Sequence, residues 1–376
     1  MARRGDQLAD RVRALGRPWE LAVFAWVPAI AIAYSCWYEL RAKRALEDFV
    51  IFRTAALRIV HGESPFPPAT LEGVAHFDKF VYPPSTAILF APFAALPVAV
   101  GQVAMFALGL MALVIALRLL GVSDWRCYGL VIMSAPAVNS LALGAVTSLL
   151  LLAVAAAWKY REHPKATGAI VALAAVGKLF LWPLGIWLLV TRRVRAVFWF
   201  AFAAAGLWLT GWAALGFAGM TSYPRLLHVL SQAEQSTSYS PLALLHVSER
   251  ATTLLSLALA ALVVAGVALA GRGPDGDRRA LATAVIGAIV ATPILWLHYF
   301  LLLVVPIALY RPRLSGLWFL PLLLWATPST HAHGVTWHVV LALAITLVVA
   351  IRTLGRRQLR PFAARPRFLR AARSQT

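Results

Sequence analysis

Charge is scarce in this sequence, and cysteine is almost missing. Only 13% of the 376 residues are Asp, Glu, Lys or Arg, and 61% are hydrophobic. A soluble globular domain carries about twice that share of charge, so that class is excluded. The two cysteines, Cys36 and Cys127, each lie in or beside an apolar stretch. They are expected on opposite sides of a membrane, which excludes a disulfide framework. The period-two alternation of a membrane β-barrel is absent, and so is any internal repeat. Acidic residues number 15 against 35 basic ones. No Asp-Asp or Asp-x-Asp pair, the usual handle for a nucleotide-bound metal, stands in a stretch that reads as an outer loop. Asp275 and Asp277 fall in a cytoplasmic one.

What the sequence does have is one apolar stretch after another, many of bilayer-spanning length. Backbone groups in lipid must find partners within their own segment, so the fold is expected to be all-α and polytopic. After about twenty basic and polar residues, the apolar run 21–38 ends in no small-residue cleavage pattern, and it reads as a retained signal anchor. The net charge of +20 would suit nucleic acid, but its placement does not. Most lysines and arginines fall in 1–20, 118–126, 159–165, 191–195, 271–279, 311–313 and 352–373. The positive-inside rule makes these stretches cytoplasmic, where they face anionic lipid headgroups. Membrane lipids are expected as partners, and nucleic acid is not.

This assignment predicts about twelve transmembrane helices with both termini cytoplasmic. A single integral membrane domain covers 1–351, with large outer loops at 39–84 and 218–250, and a basic cytoplasmic tail follows at 352–376. The pairs 166–191 and 280–310 are short enough to be broken or re-entrant helices. Segment 85–117 is long enough to hold a short helix ahead of its crossing.

Within the first outer loop, 47–61 has helical periodicity. Phe49, Phe52, Ala56 and Ile59 form one stripe, and Gly62 is a suitable stop. Such a helix is expected to lie in the membrane interface. Asp48 falls in its first turn, where the helix dipole favours an ionised carboxylate. Glu47 is the rival carboxylate, turned to another face. Further on, Tyr82-Pro83-Pro84 leads into an apolar helix with proline at its first position.

The stretch that begins with "EDFVIFRTAALRIVHGESPFPP" (Glu47–Pro68) and continues through "FVYPPSTAILFAPFAALP" (Phe80–Pro97) resembles glycosyltransferase family 87. "KATGAIVALAAVGKLFLWPLGIWLLVTRR" and "TPILWLHYFLLLVVP" resemble further blocks of that family, and "STSYSPLALL" does so loosely. The resemblance spans about residues 45–310. It departs at Gly144-Ala145, where the family often has Gly-Gln, and at Ser238-Tyr239, where it has Asn-Gln.

The resemblance implies a GT-C-class membrane enzyme that takes a mannosyl residue from a polyprenyl-phosphate donor to an outward-facing glycolipid or glycan acceptor. Arabinofuranose from the corresponding lipid donor is the alternative sugar. A lipid-linked sugar transporter is the competing class, although transporters commonly show internal repeats.

The chemistry asks for a base at the acceptor hydroxyl and for cations or donors at the departing phosphate. Asp48 fits the base. Lys178 and His298 fit the phosphate, with Tyr82 and Arg53 lining the site. All five fall on the outer side. Three have a plainer reading: Asp48 as a helix-start residue, Lys178 as a snorkelling lysine, His298 as packing. His331, His333 and His338 lack an accompanying carboxylate, so no metal and no cofactor is expected.

Overall fold

The computed structural model describes residues 18–41, 46–76, 80–234, 238–245, 247–327 and 336–355. Among them all regular structure is helical, without a strand. A turn of helix at Pro18–Leu21 and a π turn at Ala22–Trp26 run into α1 (Val27–Arg41). There follow α2 (Glu47–Val60), α3 (Leu71–His76), α4 (Pro84–Leu89), α5 (Ala91–Ala94), α6 (Val98–Leu119), α7 (Trp125–Ile132), α8 (Ala135–Leu143) and α9 (Thr147–Lys159). The second half holds α10 (Pro164–Gly177), α11 (Pro183–Val190), α12 (Val194–Ala213), α13 (Tyr223–Ala233), α14 (Glu249–Ala270), α15 (Gly276–Ala291), α16 (Val304–Tyr310) and α17 (Thr336–Leu354). The segments Leu297–Leu303 and Gly316–Ala326 are 3₁₀ helices.

Among the described residues five helices are long and apolar enough to cross a membrane: Pro18–Tyr38, α6, α12, Arg250–Ala270 and α17. A sixth span forms if α8 and α9, bent by 116°, count as one. This falls short of about twelve full-length crossings, and the reason is length. A helix rises about 1.5 Å per residue and needs about 20 residues to cross. The 14 residues of α10 cover about two thirds of that. Segments Leu179–Val190 and Gly316–Ala326 have fewer residues than α10, and Leu297–Tyr310 has as many. As expected, 85–117 divides into short helices ahead of the long α6.

The short helices have local causes. Pro183 opens α11 immediately after the 3₁₀ turn Leu179–Leu181, and α10 ends at Gly177. Proline lacks the N–H that would continue an α-helix and clashes with the preceding turn. Pro293 follows α15 in the same way. Between α8 and α9 the chain reverses through Gly144, whose φ of +66° suits glycine.

The helix of the first large loop forms as expected, from Glu47 to Val60, and Gly62 at φ +75° lies just past its end. Its apolar stripe, however, faces protein rather than the membrane interface. Phe49 and Phe52 are fully buried, and Phe52 stacks on Phe90 at 4.6 Å and meets Tyr82 at 4.8 Å. The two large loops also close on one another. Tyr223 on α13 donates its hydroxyl to the carbonyl of Val81 at 2.7 Å. Trp212, Tyr223, Leu226 and Leu230 form a separate apolar core with Val74 and Val81.

Elsewhere a single carboxylate gathers three loops. Asp277 accepts two bonds from Arg193, at 2.7 and 3.0 Å, and one from the Trp187 indole at 2.8 Å. Arg161 Nε stands 3.1 Å from it. Stretches 159–165, 191–195 and 271–279, assigned to one side by their charge, therefore meet in space.

Candidate active site

Two helix breaks and two loops build the site. The first break carries Lys178. With φ −145° and ψ 106° its backbone is extended between α10 and the following 3₁₀ turn. The second break, Thr292–Trp296, leads into the 3₁₀ segment bearing His298 and Tyr299. Loop 39–84 supplies Asp48 and Tyr82, and α13 closes over the top with Tyr223.

Ser238 holds the second break in place. Its hydroxyl accepts from the backbone N–H of Leu295 at 2.9 Å and of Ser240 at 3.1 Å, and donates to the Pro293 carbonyl at 3.2 Å. The Tyr239 N–H adds a bond to the Leu295 carbonyl at 2.7 Å. The Ser-Tyr pair thus pins the segment that presents Trp296, His298 and Tyr299.

These elements enclose a cavity of about 280 Å³. Its walls include Tyr82, Lys178, Phe180, Tyr223, Trp296 and Tyr299. Lys178 is 3% exposed, and its Nζ has no hydrogen-bond partner. Three rings surround the ammonium instead, with centroids at 3.9 Å (Tyr299), 5.4 Å (Tyr82) and 5.7 Å (Trp296). Cation–π attraction explains how a lysine can be buried here without a carboxylate bonded to it.

Asp48 stands close enough to Lys178 for each to feel the other's charge, and its Oδ2 is buried without a partner. The residue as a whole is half-buried, whereas Glu47 is exposed. Burial pushes the Asp48 carboxyl up to about 6; Lys178 opposes the rise and Glu47 adds to it. Burial, with Tyr299 and Asp48 nearby, holds the Tyr82 phenol well above its ordinary range. It therefore stays protonated and can donate.

His298 is buried beneath these groups and is not part of the cavity wall. Its Nδ1 lies 3.2 Å from Asn139 Oδ1 on α8, and its Nε2 has no partner. Its ring touches Tyr299 at 4.8 Å and Trp296 at 6.0 Å. Arg53 is placed elsewhere. Its guanidinium donates to the carbonyls of Ala94 and Leu96 at 3.2 and 3.0 Å, tying α2 to the end of α5, and it does not line the cavity.

The chain thus brings Asp48, Tyr82, Lys178 and His298 into one neighbourhood and leaves Arg53 outside. Asn139, Phe180, Trp296 and Tyr299 join them unannounced. The available signal was an Asn inside an apolar helix and aromatic residues at both helix breaks. Among the described residues no group of three metal-ligating side chains gathers. His331 and His333 lie outside the described residues, and His338 is buried on α17.

The sequence model of glycosyltransferase family 87 matches residues 80–306. The chain belongs to that family. No curated protein and no solved structure matches it. The family 87 match takes in Tyr82, Asn139, Lys178, Trp296, His298 and Tyr299, and so both helix breaks. Asp48 and Arg53 lie ahead of it. As a family 87 glycosyltransferase the protein uses a sugar donor and an acceptor, and its apolar helices make it a membrane protein.

Proposed function

We propose that this glycosyltransferase moves a mannosyl residue from a polyprenyl-phosphate donor to a glycolipid or glycan acceptor, with inversion and without a metal. The supporting observation is that a carboxylate, Asp48, lies within electrostatic reach of a lysine 130 positions later, Lys178, which lines an aromatic-walled cavity; Asp48 itself stands just outside that wall. Asp48 takes the proton of an acceptor hydroxyl. That oxygen attacks the anomeric carbon, and the bond from this carbon to the phosphate oxygen breaks. The electron pair leaves with the polyprenyl phosphate, whose growing charge is met by Lys178. His298 supports the phosphate site through its contacts with Tyr299 and Trp296, and Tyr82 offers a hydroxyl at the wall. One carboxylate base, with no second carboxylate as nucleophile, fits direct displacement. A β-linked donor then gives an α-linked product.

The apolar wall and the surrounding helices suit a polyprenyl chain. The protein sits in the plasma membrane with both termini in the cytoplasm, and the site opens outward. The charge placement and the meeting of three basic loops at Asp277 support that orientation. Purified protein with radiolabelled polyprenyl-phosphomannose and a membrane glycolipid extract tests the reading. Label should move to the glycolipid. Donor binding without transfer would make the protein a carrier instead.

A further inference from the structure

The aromatic surroundings of Lys178 carry a second inference, which rests on the reading of that lysine as the grip on the donor phosphate. A buried ammonium usually spends its hydrogen bonds on a carboxylate or on carbonyls. Here none is spent, and Lys178 Nζ lies 3.9 Å from the centroid of the Tyr299 ring. An aromatic face attracts the charge without accepting any of its N–H groups. No hydrogen bond to a protein group has to break before an anion binds.

Tyr299 is in turn fixed from several directions. Its ring is stacked on Phe180, with centroids 4.7 Å apart and planes 4° from parallel. It meets His298 at 4.8 Å and Trp296 at 5.8 Å. A lysine stem has several rotatable bonds, so a free ammonium at a helix break would sample many positions. The ring face favours the position seen here.

We propose that Tyr299 is the positioning residue for Lys178, its ring face holding the ammonium at the cavity wall with every N–H left for an incoming anion. The face is what matters, and the hydroxyl is secondary. Tyr82 and Trp296, farther from the nitrogen, complete the enclosure.

The test is binding of a tritiated short-chain polyprenyl phosphate to the purified full-length protein in nanodiscs. Four variants are compared: Lys178→Ala, Tyr299→Leu, Tyr299→Phe and the double variant Lys178→Ala/Tyr299→Leu. Lys178→Ala should weaken binding by about ten- to a hundred-fold. Tyr299→Leu should weaken it by about five- to thirty-fold, and Phe should restore most of what Leu loses. In the Lys178→Ala background, Tyr299→Leu should cause almost no further loss, because the ring then has nothing to position.

If Lys178→Ala weakens binding and Tyr299→Leu does not, the inference fails while the reading of Lys178 stands. If Lys178→Ala binds normally, that reading fails first. Equal losses for Phe and Leu would assign the effect to the hydroxyl and overturn the role of the face. A full additional loss in the double variant would show Tyr299 acting independently of Lys178, and would overturn the inference as well.

Discussion

The Ser238 hydroxyl accepts the backbone N–H of Leu295 at 2.9 Å, joining the second large loop to the break that precedes His298 and Tyr299. Both partners are buried. Removing the hydroxyl strands that N–H and the N–H of Ser240. Ser238→Ala should lower stability by roughly 1–3 kcal/mol and raise the donor KM more than it lowers kcat. Thermal unfolding in detergent and donor kinetics check this. An unchanged unfolding temperature and KM would show that the break keeps its shape without Ser238.

Gly144 ties the first loop to the bundle. A Cβ at this position would come 2.8 Å from Phe49 Cβ and 3.2 Å from the Leu46 side chain, on a backbone with φ +66°. Leu46, itself at φ 55°, donates its N–H to the Ala142 carbonyl at 3.0 Å. The end of α8 thus sets where α2 begins, and with it Asp48. Gly144→Ala should displace that start and reduce turnover by about a hundred-fold, as misplaced reacting groups do. Gly62→Ala is the control. Its φ of +75° is equally left-handed, but a Cβ there meets nothing within 4 Å. It should cost about 1–2 kcal/mol of stability and leave turnover nearly intact. Equal effects on turnover would mean that the contact with Phe49 has no bearing on the site.

The pH profile follows from the sign of the shift at Asp48. Burial raises its carboxyl to about 6, and a base works only when ionised. kcat/KM should therefore rise with pH through about 6. Glu47 adds to the rise, so Glu47→Gln should move the acid limb to lower pH without lowering the maximum much. A flat profile, or a limb moving upward in Glu47→Gln, would contradict the assignment.

The all-helical membrane class was legible from composition alone, because so little charge and so much apolar length leave few alternatives. The helix from Glu47 was legible from its stripe, and its stop from Gly62. The partner of that stripe was not, because periodicity identifies an apolar face without saying what covers it. Phe49 and Phe52 meet Phe90 and Phe93, which lie some forty positions later. The number of full-length spans was also out of reach. Charge marks loops, but it does not tell a complete crossing from α10, which stops at Gly177. At the site, the ionisable residues Asp48, Lys178 and His298 stood out because charge is rare in oil. Tyr299 and Asn139 did not stand out, since one aromatic ring or amide looks like any other until its neighbours are known.

The sidedness can be tested directly. With Cys36 and Cys127 replaced, single cysteines at Ser64 and Thr221 should react in intact cells with a membrane-impermeant maleimide. Cysteines at Tyr160 and Pro274 should react only after permeabilisation. All four positions are exposed. Labelling of Tyr160→Cys from outside would reverse the proposed orientation and put the site on the cytoplasmic face.

The central claim is that Asp48 is the base and its neighbour Glu47 is not. Successive helix positions point about 100° apart; Glu47 is exposed, while a carboxylate oxygen of Asp48 is buried and the residue feels the charge of Lys178. Turnover of Asp48→Asn and Glu47→Gln, measured at matched expression with saturating donor and acceptor, is the most direct test. Asp48→Asn should lose about 10²–10⁴-fold, the usual contribution of a general base, while still binding donor, and Glu47→Gln should stay within a few-fold of the unaltered protein. Near-normal turnover in Asp48→Asn would contradict the account, and a dead Glu47→Gln beside it would move the base by one residue.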